Sequence, residues 1–100
     1  MTLDDFELSL AGSAPPADLH PTLRALWHSA KGEWDEALNA ISDDDSVEAA
    51  WVRGHIDRAQ GDTARAPQSY AKVRMPMPST LPEIERRTIT KVLIASGKAA

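Results

Sequence analysis

A histidine beside a carboxylate is the side-chain pair best suited to moving a proton near neutral pH. Residues 51–62, WVRGHIDRAQGD, set His55 two places before Asp57, with Arg53 and Arg58 close by. Spacing decides whether such a pair can act. Residues two positions apart on an α-helix are separated by about 200° around its axis, so His55 and Asp57 leave opposite sides and cannot share a proton or a metal ion. The same-side neighbours of His55 are Trp51, one turn before, and Arg58, one turn after. A histidine packed on a tryptophan beside a cation is the expectation there.

The remaining chemistry-bearing residues form no set. His20, His28 and His55 lie far apart, without the His-x-x-x-His spacing of helical zinc ligands. Asp43, Asp44 and Asp45 lack the alternating ligands, central glycine and closing glutamate of a calcium loop, so they are expected to form a solvated turn and a helix cap. The chain has no cysteine, which removes disulfides, thiolate nucleophiles and sulfur-ligated zinc together. No nucleophile elbow or phosphate loop surrounds its serines and threonines. No catalytic, cofactor-binding or metal-binding residues are therefore expected. The residues leave open one alternative, a small enzyme or ligand-binding protein that uses a groove around His55, Arg58 and Asp62.

Elements that could position these side chains are helical throughout. A chain of 100 residues with 42% apolar and 26% charged residues is one small globular domain, burying about 60–70% of its unfolded surface. Thr2 and Asp5 have capping-box spacing at the head of a short helix bearing Leu3, Phe6 and Leu10 on one side. The GSAPP segment at 12–16 then breaks the chain, so residues 1–18 are expected to be an acidic-apolar arm and linker and 19–100 the domain. In the domain, Pro21 opens a helix that Gly32 stops, with a stripe of Leu19, Leu23, Leu26, Trp27 and Ala30. A second helix carries Trp34, Ala37, Leu38 and Ile41.

Asp45 and Glu48 then have capping-box spacing before a third domain helix, which runs to Gln60 and is apolar on two sides, hence sandwiched and the most buried. The next helix must start or kink at Pro67, because proline cannot donate an interior helical hydrogen bond. Prolines 76, 78 and 82 make residues 75–82 a connector. Thr80 and Glu83 promise another capping box, and Leu81, Ile84, Thr88, Val92 and Ala95 trace the apolar stripe of the last helix.

Charge is unevenly placed. Residues 1–52 hold eleven acids against Arg24 and Lys31, a net −9, whereas residues 53–100 hold four acids against nine bases, a net +5. Overall acidity argues against nucleic acid as a partner. The acidic start has no basic region of a secretory signal, and no apolar run nears the roughly 18 residues of a membrane span, so a cytoplasmic protein with no membrane partner is expected.

Two stretches repeat. GEWDEAL at 32–38 and GDTARAP at 61–67 share glycine, acid, three residues and alanine, and Ile41 and Tyr70 each follow four after the alanine. Ala25 and Gly54 stand seven before the glycines. The pattern resembles the middle of a tetratricopeptide repeat. That resemblance implies an all-α, tetratricopeptide-like stack of two helical hairpins, with residues 81–95 as a covering helix and an N-terminal arm. The glycines are 29 residues apart against the family's period of about 34, so the first repeat is about a turn short.

The chain also resembles a group of short, functionally uncharacterised bacterial proteins with LW…GDW..AH and WVHAYLHR.EGD..NA..WY segments. Leu26, Trp27, Gly32, Trp34 and Ala37 match the first, and Trp51, Val52, Arg58, Gly61, Asp62, Ala66 and Tyr70 the second. The histidines of that pattern are replaced by Leu38, Arg53 and Asp57, so any chemistry they serve is lost here.

The function these features imply is a noncatalytic protein–protein interaction module, an adaptor or a self-associating chain that forms a homodimer. Its expected partner-binding residues are Trp51, His55, Arg58, Tyr70, Arg86 and Arg87. The amphipathic arm is expected to dock on the domain through Leu3, Phe6 and Leu10, within one chain or by exchange.

Overall fold

Helix formation follows the caps and stops in the chain. The computed structural model describes residues 1–62, 64–76 and 78–97. Met77 of the expected connector and residues 98–100 of the expected domain lie outside them. Among the described residues the protein is all-α, with six helices and no strand: α1 (Leu3–Ser9), α2 (Pro21–Ala30), α3 (Trp34–Ala40), α4 (Val47–Gln60), α5 (Ala66–Lys72) and α6 (Pro82–Ala95).

Local chemistry explains most of these boundaries. Thr2 Oγ1 accepts from the Asp5 amide and the Asp5 carboxylate accepts from the Thr2 amide, each at 3.1 Å, which satisfies two orphan donors of α1 reciprocally. Gly32 (φ 73°) and Gly61 (φ 85°) follow α2 and α4 in the left-handed region, where a side chain would be strained. Pro67 falls in the first turn of α5, where a missing N–H costs nothing, so that helix starts there rather than kinking.

Two expected caps are not used. The cap of α4 is Ser46, whose hydroxyl accepts from the Ala49 amide at 3.1 Å, while Asp44 accepts from the Ser46 amide; the helix thus begins one residue later than an Asp45–Glu48 box requires. The cap of α6 is Leu81, with no side-chain hydrogen bond. Pro82 presets the first helical residue, and Thr80 lies one position too early to serve.

Helices α2 and α3 pack as one hairpin and α4 and α5 as another. Helix α4 touches α2, α3, α5 and α6. Leu23, Leu26, Trp27, Ile41, Val52, Ile56, Ile89 and Leu93 fill the space between them, with Trp34 and Trp51 half-buried at its edge. Gly54 stands where α4 crosses α5: a Cβ there would lie 3.2 Å from Ser69 Cβ and 3.3 Å from the Tyr70 ring.

Helix α1 lies on the same core. Phe6 is fully enclosed, Leu3 and Leu10 are half-buried, and Leu8 faces solvent. Polar contacts surround that anchor. Glu7 accepts a forked pair of hydrogen bonds from Arg86 (2.7 and 3.3 Å), and the Trp27 indole N–H donates to Ser9 Oγ (3.1 Å). Lys31 Nζ donates to the Leu10 and Gly12 carbonyls that α1 leaves unpaired, while lying 5.1 Å from the Trp27 ring centre.

The face that α6 buries is not the expected stripe. Glu85, Arg86, Ile89, Thr90 and Leu93 turn inward, whereas Leu81 (61% exposed), Ile84 (47%) and Val92 (46%) face solvent, with Thr88 and Ala95 beside them. One residue is a 100° step on a helix, so Ile84/Thr88/Val92 and Glu85/Ile89/Leu93 are rival stripes one position apart. Polar partners for Glu85 and Arg86 select the second.

Gly54→Leu improves helix propensity but overpacks the α4–α5 crossing. It is expected to lower stability by about 1–3 kcal/mol in chemical denaturation. A higher melting temperature in that variant would contradict this packing.

Candidate functional site: the Glu85 cluster and the groove beside it

Helix α4 sends His55 and Asp57 to opposite sides, and each finds a different partner. Asp57 turns toward α5, where Ser69 Oγ donates to Asp57 Oδ2 at 3.0 Å. His55 turns toward α6, and its Nδ1 lies 2.8 Å from Glu85 Oε1. The expected packing of His55 on Trp51 thus gives way to a hydrogen bond from an element 30 residues distant.

Glu85 collects three donors. Arg58 Nη1 donates to Oε1 at 2.9 Å, and the Tyr70 hydroxyl donates to Oε2. An ionised carboxylate only accepts, so His55 carries its proton on Nδ1 toward Glu85. Burial alone would raise the Glu85 carboxyl; hydrogen bonds from His55, Tyr70 and Arg58 outweigh it and hold the group below its ordinary value. Burial, reinforced by the Glu85 carboxylate, pushes the Tyr70 hydroxyl up, which keeps it a donor. Burial also raises Asp57, against the opposing hydrogen bond from Ser69.

An apolar groove of about 200 Å³ opens beside the cluster, walled by Trp51, Met75, Pro76, Pro78 and Thr88 over a floor of Tyr70 and Glu85. Thr88 also belongs to the exposed outer face of α6, so groove and face are continuous.

The anticipated partner-binding residues divide by exposure. His55 and Tyr70 are enclosed and hold Glu85. Arg58 is mostly enclosed, and Arg86 is buried against Glu7. Trp51 is accessible in part, and the Arg87 side chain is open, its Nε 3.8 Å from Glu7. The alternative trio is not joined: Asp62 makes no hydrogen bond or ion pair with His55 or Arg58, its carboxylate accepting from the Ala64 and Arg65 amides ahead of α5.

Sequence reasoning missed Glu85, and also Met75, Pro76, Pro78 and Thr88 in the groove. The available signal for Glu85 was an acid standing one turn before Ile89 and two before Leu93, on what becomes an inward face. Among the described residues no group of three or more His, Asp or Glu could hold a metal ion, and no helix is long and apolar enough to cross a membrane. Comparison with protein-family models, with curated proteins and with solved structures finds no match for this chain.

Glu85→Ala leaves three buried donors without an acceptor and is expected to cost about 3–5 kcal/mol in denaturant unfolding. Because folding lowers the Glu85 pKa, its contribution is complete above the unfolded value of about 4.3 and is lost as pH falls through the lower folded one. Asp57, raised by burial, acts oppositely: its contribution is present in acid and is lost as pH rises through its folded value. The wild-type melting temperature should therefore drop below about pH 4, and Glu85→Gln should flatten that drop. An equally steep drop in the variant would locate the acid sensitivity elsewhere.

Proposed function

We propose that this chain is a cytoplasmic, noncatalytic protein-binding module of tetratricopeptide-like build. It takes its partner in the groove between α4, α5 and α6 and on the adjoining outer face of α6. The repeat positions support the build: Ala25 and Gly54, Ala37 and Ala66, and Ile41 and Tyr70 are all buried, and Gly32 and Gly61 stop α2 and α4 in the same conformation.

The observation that carries the binding role is the exposure of Leu81, Ile84 and Val92 on one face, running into a groove lined by Trp51 and Met75. A helix apolar on two faces is sandwiched between neighbours, and here only the inner one is covered by the described chain. Exposed Arg87 and Lys91 flank the stripe, so the complementary surface is apolar and acidic. The Glu85 cluster favours support over catalysis, because its carboxylate is already spent on three donors from α4 and α5.

Ile84→Asp and Val92→Asp alter exposed positions and should leave the melting temperature unchanged. Each should weaken partner capture, or self-association measured by light scattering, about tenfold or more. Capture and mass unchanged in both variants would remove the outer face of α6 from the binding role.

A further inference from the structure

Away from that groove, on the opposite side of α4, a cleft of about 480 Å³ separates α3 from α4 and α5. Its floor contains Asp57, 5% exposed, with one carboxylate oxygen bonded to the Ser69 hydroxyl. No cation among the described residues forms an ion pair or hydrogen bond with it; Asp62 opposes its charge, and Arg65 and Arg53 favour it only through longer-range attraction that burial outweighs. A buried carboxylate with one hydrogen bond and no ion pair carries a desolvation cost that a purely structural role avoids, and such groups collect at ligand sites.

The walls bear the opposite charge. Arg53 lies one turn before Asp57 on the same side of α4 and uses one N–H on the Ile41 carbonyl (3.2 Å), leaving its other donors to the cleft. Lys72 and Arg65 stand on the α5 side; Lys72 has no acidic partner among the described residues, and Arg65 meets Asp62 at 3.9 Å. The cleft therefore presents a carboxylate in the floor and bases above it, one helical turn apart. A simple anion would meet Asp57 as a repulsion, and a simple cation would meet the three bases. A small molecule carrying both charges a few bonds apart meets neither.

We propose that this cleft binds a small zwitterion of the α-amino-acid class, with its ammonium on Asp57 and its carboxylate on Arg53 and Lys72. The site is independent of the docking groove, because the two cavities share no lining residue and Asp57 and Trp51 leave α4 about 120° apart.

The test is a titration of the full chain with glycine, followed by the amide resonances of Arg53, Asp57 and Ser69, with acetate and ethylamine as single-charge controls. Saturable shifts are expected with glycine at millimolar concentration, and each control should bind at least about fivefold more weakly, because it makes half of the contacts. Asp57→Asn retains an acceptor for Ser69 and removes the buried charge. It should leave the melting temperature equal or higher while abolishing the glycine response. Lys72→Ala, at an exposed position, should weaken glycine without unfolding the chain.

The proposal is overturned if wild-type protein gives no saturable response to glycine, or if acetate or ethylamine binds as well. It is equally overturned if Asp57→Asn keeps the response, or if that variant melts lower, as loss of a structural carboxylate would require.

Discussion

The Glu85 carboxylate is the interaction on which the arrangement of the second half depends. It enters from α6 and is met by two side chains of α4 and one of α5, so three helices are fixed by hydrogen bonds that converge on two oxygen atoms. Apolar contacts alone would let α6 turn about its axis at little cost, since it offers two apolar stripes one position apart. An acid buried without its donors costs several kcal/mol, a large fraction of the stability of a small domain, and that penalty removes the alternative rotation. The exposed stripe is the consequence. What looks like a core face from its spacing is left outside because the polar contacts chose the other side.

A second convergence ties the chain's acidic and basic halves together. Glu7 and Arg86 are 79 residues apart and form a forked ion pair next to the enclosed ring of Phe6. Lys31 adds a cap on the carbonyls at the end of α1. The arm thus rests on one apolar anchor and several charge-assisted bonds, made to α6 and to Lys31 at the end of α2. Exposed ion pairs are worth little, but the Arg86 guanidinium is largely enclosed, so the pair with Glu7 spares it from being buried unpaired.

Much of this organisation was legible from local chemistry. Thr2 with Asp5, Gly32, Gly61 and Pro67 each mark a boundary because their backbone requirements are strict and act within a turn. Phe6 was identifiable as an anchor, being the one aromatic residue in an acidic segment. The opposite directions of His55 and Asp57 follow from helix geometry alone. What escaped depends on positions or partners that spacing does not reveal. Ser46 competes with Asp45 for one cap, and only the true helix start separates them. The rotation of α6 is decided by His55, Arg58 and Tyr70, 15 to 30 residues away. Asp57 could be dismissed as half of a dyad without revealing that it looks into a cleft of its own.

The joining of α1 to α6 bears on the order of events during synthesis. A ribosome releases the chain from its amino end at roughly 5–20 residues per second. The seat for Phe6 and Glu7 includes Arg86 and the inner face of α6, which are made 79 residues later. For several seconds the arm is out of the tunnel with nowhere to dock, while α2 and α3 can already form their hairpin. Of these six helices, the one translated earliest is therefore among the last to settle, and a nascent chain displays an acidic, apolar tag that the folded molecule tucks away.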